Sequence, residues 1–217
     1  MPSLHNSTTT PIPFRSGVLE LPLKLHEHTG AERAEVETFI RSRFASSFGA
    51  QVDAFMPRLF SLRGETGELC GAFGLRNAAR RLFLEQYLDF PIEHEIALRC
   101  GHIVQRRVVV EAGQFCGTYP GVVRSMIRLL TQHLHWEGFE WVAFTGTAPL
   151  QNAFSRLGLS PIDIHAADVA RLPAAERSAW GSYYNHRPRV LVGHIDEGQN
   201  KLAPRRTQSA FAEEAAA

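Results

Sequence analysis

Three consecutive valines, Val108 to Val110, follow two arginines and run directly into Glu111, Ala112 and Gly113. A β-branched run without polar alternation does not suit a half-buried strand. It reads as a strand covered on both faces, in the middle of a sheet. Downstream, GVVRSMIRLLTQHLHWEGF repeats apolar residues at Val122, Val123, Met126, Ile127, Leu130 and Leu134, the stripe of an amphipathic helix that ends at Gly138. WVAF, from Trp141 to Phe144, is a second short buried strand, and FTGTAPLQNAFSRLGLSP carries it through a Pro-marked turn and a short helix to a glycine stop. Strand, helix, strand in this order predicts a parallel pair joined by a right-handed crossover.

The rest of the chain supplies the neighbours. Val18 to His26 places Leu19, Leu21, Leu23 and Leu25 at strand spacing, and Val36, Phe39, Ile40 and Phe44 recur at helical spacing between a Thr29 cap and a Gly49 stop. MPRLFSLRG and ELCGAFGLRNA flank Gly-Glu-Thr-Gly and read as a hairpin. LFLEQYLDFPIEHEIALRCG is less regular, interrupted at Pro91, and a final strand follows the short helix. The fold class is therefore α/β: a central mixed twisted sheet with helices on both faces. With 217 residues and 44% hydrophobic content, one domain over residues 18–198 is expected. A flexible N-terminal segment, 1–17, and a flexible tail, 199–217, complete the expected organisation.

Composition excludes several classes. A formal net charge of +1 without a basic block gives nucleic acid little to hold. The ten histidines are scattered; His26 with His28, and His133 with His135, are two apart, which cannot place both on one helix face, so no metal site is expected. Cys70, Cys100 and Cys116 are odd in number and far apart, which predicts free thiols and a cytoplasmic setting. No export signal is visible, and no window approaches the roughly twenty apolar residues of a transmembrane helix. No feature specifies an oligomeric state.

Chemistry is expected at the carboxyl ends of the two parallel strands. Glu111, at the end of an apolar strand, is either paired with backbone N–H groups or an arginine such as Arg107 or Arg124, or is a carboxyl of raised pKa able to act as a base. Glu85, in LFLEQYLD, is a second acid in an apolar run. The segment Ala112 to Gly121 carries Gly113, Gly117 and Gly121 ahead of a helix; it could cradle a phosphate or simply turn, and it lacks the lysine of a P-loop. Thr145 and Thr147 share one side of their strand, facing a ligand or capping the next helix, where Asn152 and Arg156 form a polar pair four residues apart. No Gly-x-Ser-x-Gly elbow is present.

These residues carry a resemblance. LQNAFSRLGL is similar to the segment that closes the GNAT acyltransferase fold, and Gln114-Phe115-Cys116-Gly117 resembles the first half of that superfamily's pyrophosphate loop, with its next glycine displaced to Gly121. VEAGQF resembles the strand-end Glu and following aromatic of acyl-homoserine-lactone synthases. FMPRLFSL, LFLEQYLD with PIE, VEAGQF, FTGT with LQNAFSRLGL, AADVARL and WGSYYNHRPRVLVG resemble successive blocks of the bacterial thermostable hemolysin family.

The resemblance implies a GNAT-like N-acyltransferase without a tightly bound cofactor. It would move a fatty acyl group from acyl-coenzyme A or acyl carrier protein to the amine of a small molecule or amino acid. It implies Glu111 or Glu85 as base, an oxyanion held by backbone N–H groups near Gly113, and Thr145 and Thr147 positioning the donor or acceptor. Gln114, Phe115, Gly117, Gly121, Asn152 and Arg156 would lie along the donor. Phe154 and Ser155 stand where many relatives have a tyrosine, for which Tyr183 or Tyr184 could substitute unless they seal the core. Two other classes stay open: a membrane-active hemolysin without turnover, and a GNAT-shaped module that only binds thioesters.

Overall fold

In the computed structural model, which describes residues 23–203, Val109 and Val110 open the central strand of a seven-stranded sheet, and Val108 ends a 3-10 turn just before it. The elements are β1 (Lys24–His28), α1 (Arg33–Phe48), β2 (Arg58–Arg63), β3 (Leu69–Asn77), α2 (Ile92–Cys100), β4 (Val109–Gly117) and α3 (Pro120–Trp136). β5 (Trp141–Gly146), α4 (Ala148–Arg156), β6 (Ile162–Ala166), α5 (Ala174–Arg177), β7 (Arg189–His194) and α6 (Ile195–Leu202) follow. Strand order is β1-β2-β3-β4-β5-β7-β6. The β4–β5 pair is parallel, as the crossover through α3 predicts, and every other pair is antiparallel.

Side chains alternate across β4 and so feed two cores. Val110 and Ala112 meet Val122, Met126, Leu130 and Leu134 of α3 on one face. Val109 joins Ile92 and Ile96 of α2 on the other, where Val36, Ile40 and Phe44 of α1 also pack over Leu59 and Ala72. Each such fully buried aliphatic side chain contributes about 1.5–3 kcal/mol by leaving water. α1 stops at Gly49, whose φ of 65° suits a residue without a Cβ.

The structure departs from the sequence reading in several places. The irregular segment contains α2, and Pro91 stands at its N-cap rather than interrupting it, since proline's missing N–H costs nothing there. β4 runs on to Gly117, so most of the expected glycine loop is strand and only Thr118 and Tyr119 separate it from α3. Thr29 precedes a 3-10 turn and makes no capping hydrogen bond. Two strands, β6 and β7, stand where one final strand is expected, and β7 inserts between β6 and β5. α6 carries helix past residue 198, with Leu202 buried, so the expected flexible tail cannot start at 199. The predicted segment 1–17, the first part of the Val18–His26 strand and residues 204–217 lie outside the described residues. Cys70, Cys100 and Cys116 are free thiols.

Candidate active site

β4 and β5 stay in register for four residue pairs, from Val109 opposite Trp141 to Ala112 opposite Phe144, and then part. β4 continues along β3 to Gly117, while β5 continues along β7 to Gly146. The parting coincides with a bulge in β4. Gly113 pairs with Gly74 and Cys116 with Ala72, so two residues, Gln114 and Phe115, oppose Phe73 alone. Gln114 adopts φ of 55°, an uncommon conformation for a residue with a side chain. Its amide offsets that strain: Oε1 accepts from the N–H of Met56 at 3.0 Å and Nε2 donates to the carbonyl of Ala54 at 2.7 Å. The bulge thereby holds the 51–56 loop against the sheet.

Through this gap passes a cavity of about 400 Å³, lined from both faces of the sheet. Leu130, Leu150 and Phe154 wall it on the α3 and α4 side; Met56, Trp180 and Tyr183 wall it on the other. Its size falls in the range of small-molecule sites, roughly 300–1,000 Å³.

Glu111 stands on the cavity wall with 3% of its surface exposed. Its partners are neither Arg107 nor Arg124. The N–H of Phe83 donates to Oε2 at 2.8 Å and that of Leu84 to Oε1 at 2.9 Å, both from the start of the 3-10 turn Leu84–Tyr87. Burial pushes the carboxyl up to about 7, against the pull of those two N–H groups and of the positive charge on Arg76. The carboxyl therefore changes charge near neutral pH while each oxygen keeps a lone pair for a further partner.

Of the other expected residues, Gly113, Gln114, Phe115, Thr145 and Thr147 line the same cavity. Thr147 sits at the N-cap of α4 without a capping hydrogen bond, which leaves its hydroxyl unused by the helix. Gly117 and Gly121 lie beyond the cavity, at the junction of β4 and α3, where no side chain caps the helix N-terminus. Asn152 and Arg156 are exposed and do not line the cavity; the inward face of α4 is Leu150 and Phe154. Glu85 is also placed elsewhere. It accepts from the N–H groups of Leu82 and Ile92 and is forked by Arg106. Burial raises its carboxyl, but the guanidinium and the N–H groups outweigh it and hold the group below its ordinary value. These contacts tie down the turn that carries Phe83 and Leu84.

Sequence reasoning missed Arg76, Phe83 and the aromatic wall of Trp180 and Phe44. Arg76 had a signal, being a charge in the otherwise apolar strand GAFGLRN. Tyr183 is among the aromatics, edge-on to Phe48 at 5.1 Å, and burial raises its phenol. Tyr184 instead pairs hydroxyl to hydroxyl with Tyr87, and burial pushes it up to about 12.

The mixed sheet has a GNAT-like fold, which it shares with several solved structures. TofI, in a ternary complex with an inhibitor and MTA, superposes with a TM-score of 0.59 at 16% identity, covering 84% of this chain and 96% of that one. FeeM, an N-acyl amino acid synthase from uncultured soil microbes, gives 0.56 at 13% identity over 83% and 95%. BjaI, a CoA-dependent acyl-homoserine lactone synthase with SAM and isopentyl-CoA, gives 0.52 at 12% over 82% and 86%. At these identities the likeness is one of fold. The chain itself belongs to the thermostable hemolysin family, which it matches over residues 26–199. No curated protein sequence matches it.

Proposed function

We propose that the protein is an N-acyltransferase that moves a fatty acyl group from an acyl thioester, carried by coenzyme A or acyl carrier protein, to an amine. The observation that carries this reading is the apolar cavity crossing the sheet with Glu111 on its wall. A flexible acyl chain needs an apolar channel, and the reacting carbonyl needs a base and hydrogen-bond donors at its mouth. CoA-dependent BjaI and the N-acyl amino acid synthase FeeM share the fold, which supports both the thioester donor and the amine acceptor.

The acyl chain lies in the cavity, and the thioester sits at the bulge, where the β5-facing backbone of β4 has no strand partner beyond Ala112. N–H groups near Gly113 hold the oxyanion, and Thr145 and Thr147 flank the donor. Coenzyme A phosphates lie at the uncapped start of α3, near Gly117 and Gly121. Glu111 takes the amine proton as nitrogen attacks the carbonyl carbon, the C–S bond breaks, and Tyr183, kept neutral by burial, protonates the thiolate. Asn152, Arg156 and Glu85 have no part in these steps. The products are an amide and a free thiol. A fatty amide with a polar head is an amphiphile, so the lysis in the family's name follows from product.

The test is thiol release from long-chain acyl-coenzyme A and acyl carrier protein in the presence of pooled amines and amino acids. Glu111→Gln should lower kcat by about a hundredfold or more. Full activity in that variant removes Glu111 from the mechanism; red-cell lysis by protein without any donor overturns the enzymatic reading.

A further inference from the structure

Arg76 is the β3 residue directly across from Glu111, so the two side chains rise side by side from one face of the sheet. Arg76 and Phe83 form a wall shared by the cavity and by an open cleft of about 620 Å³, whose lining also includes Arg81, Gln86 and Arg171. Arg171 is engaged by Asp89 at 2.6 Å. Arg76 and Arg81 make no ion pair or side-chain hydrogen bond with any other described residue, so both guanidinium groups keep their donors unused in one concave surface, with the Glu111 carboxyl the charge next to Arg76. In a chain of net charge +1 this is a local excess rather than part of a general basic surface.

Two free guanidinium forks in a cleft are suited to a bidentate anion, a carboxylate or a phosphate. Position separates the two sources. Coenzyme A phosphates would lie at the start of α3, six residues along β4 from Glu111, about 20 Å away at strand rise. The arginine cleft instead shares Arg76 and Phe83 with the cavity on whose wall Glu111 stands. We propose that this cleft is the acceptor site, and that the acceptor is an α-amino acid whose carboxylate is gripped by Arg76 and Arg81 while its amine turns toward Glu111. The proposal rests on the acyl-transfer reading and specifies its acceptor. The amine nitrogen forms the new C–N bond and gives its proton to Glu111, the thioester C–S bond breaks and the thiolate takes a proton from Tyr183, and exchange with solvent returns a proton from Glu111 to Tyr183, so the products are an N-acyl amino acid and a free thiol and nothing is oxidised or reduced.

The experiment compares L-amino acids with their decarboxylated amines as acceptors, using the full chain and both donors. Amino acids should be preferred by about tenfold or more in kcat/KM, and Arg81→Gln should raise the acceptor KM by a similar factor with the donor KM unmoved. Arg76→Gln should do the same and also shift the acid limb of the pH profile upward, because Arg76 lies beside the Glu111 carboxyl. Equal use of amines and amino acids, or an Arg81→Gln effect on the donor KM alone, overturns the proposal while leaving acyl transfer intact.

If no acceptor is turned over, calorimetry with N-dodecanoyl-leucine and its carboxamide decides the cleft separately. Tighter binding of the carboxylate, lost in Arg81→Gln, upholds the anion site although the transfer reading has failed. Equal binding sinks the site as well.

Discussion

With two backbone N–H groups on its oxygens and almost no water around it, the Glu111 carboxyl is pulled in opposite directions, and burial prevails. Its pKa of about 7 in the folded chain lies above the 4.5 of a free glutamate, so the folded state binds the proton more tightly. The stability contributed by this group is therefore present at low pH and is lost as pH rises from about 4.5 through 7. Between pH 5 and 8 that loss should amount to roughly 2–3 kcal/mol. Urea unfolding of the wild type and Glu111→Gln at the two pH values checks it: the variant should show a flatter dependence, and parallel curves would remove the assignment. Its absolute stability is a poorer guide, because the new amide turns an N–H₂ group toward one of the two backbone N–H donors. With Glu111 as the proposed base, activity should run the other way, because only the unprotonated carboxylate accepts a proton: kcat/KM should rise with pH up to about 7 and then level. Glu111 was legible in the sequence as a carboxylate that an apolar run would bury. Glu85 carried the same signal and is held by Arg106 away from the cavity, a pairing that spacing alone cannot supply because the arginine comes 21 residues later.

At the scale of elements, the aromatic wall of the cavity is held in place by backbone contacts more than by its rings. The N–H of Ser182 donates to the carbonyl of Phe48 at 2.8 Å, and that of Gln51 to Ala179 at 2.6 Å, fastening the 174–187 segment to the end of α1. Gly181 makes this approach possible. It has φ of 51°, and a Cβ there would stand 2.1 Å from the Phe48 carbonyl oxygen. Gly181→Ala should cost about 2 kcal/mol or more and raise the donor KM, read from denaturant unfolding and initial rates. An unchanged midpoint would show that the wall is not anchored here. Nothing in WGSYYNHRPR announces this contact, which depends on chain more than 130 residues upstream. The elements with strong local periodicity, α1, β4 and α3 with the β2–β3 hairpin, were legible. α2 was hidden because Pro91 reads as a breaker and is in fact a start.

For the molecule as a whole, the sheet is two halves, β1 to β4 and β5 to β7, joined by four residue pairs and the α3 crossover. The parallel centre could be deduced from the βαβ order. The placement of β7 between β5 and β6 could not, because strand neighbours are chosen by packing across the chain and leave no local pattern. A donor lying in the gap touches both halves. At about a hundredfold above its Kd it should raise Tm by roughly 5–10 °C, and hydrogen exchange should slow in β4 past Ala112 and in β5. Protection confined to segments remote from the gap would place the donor elsewhere. The cavity that crosses the sheet also has a kinetic consequence. With the acceptor in the arginine cleft and the donor threaded through the gap, as proposed, the two would not compete for space, and both substrates should assemble before the reaction with no acylated intermediate between them. Double-reciprocal plots at varied donor and acceptor should intersect rather than run parallel, and free coenzyme A should compete with the donor but not with the acceptor.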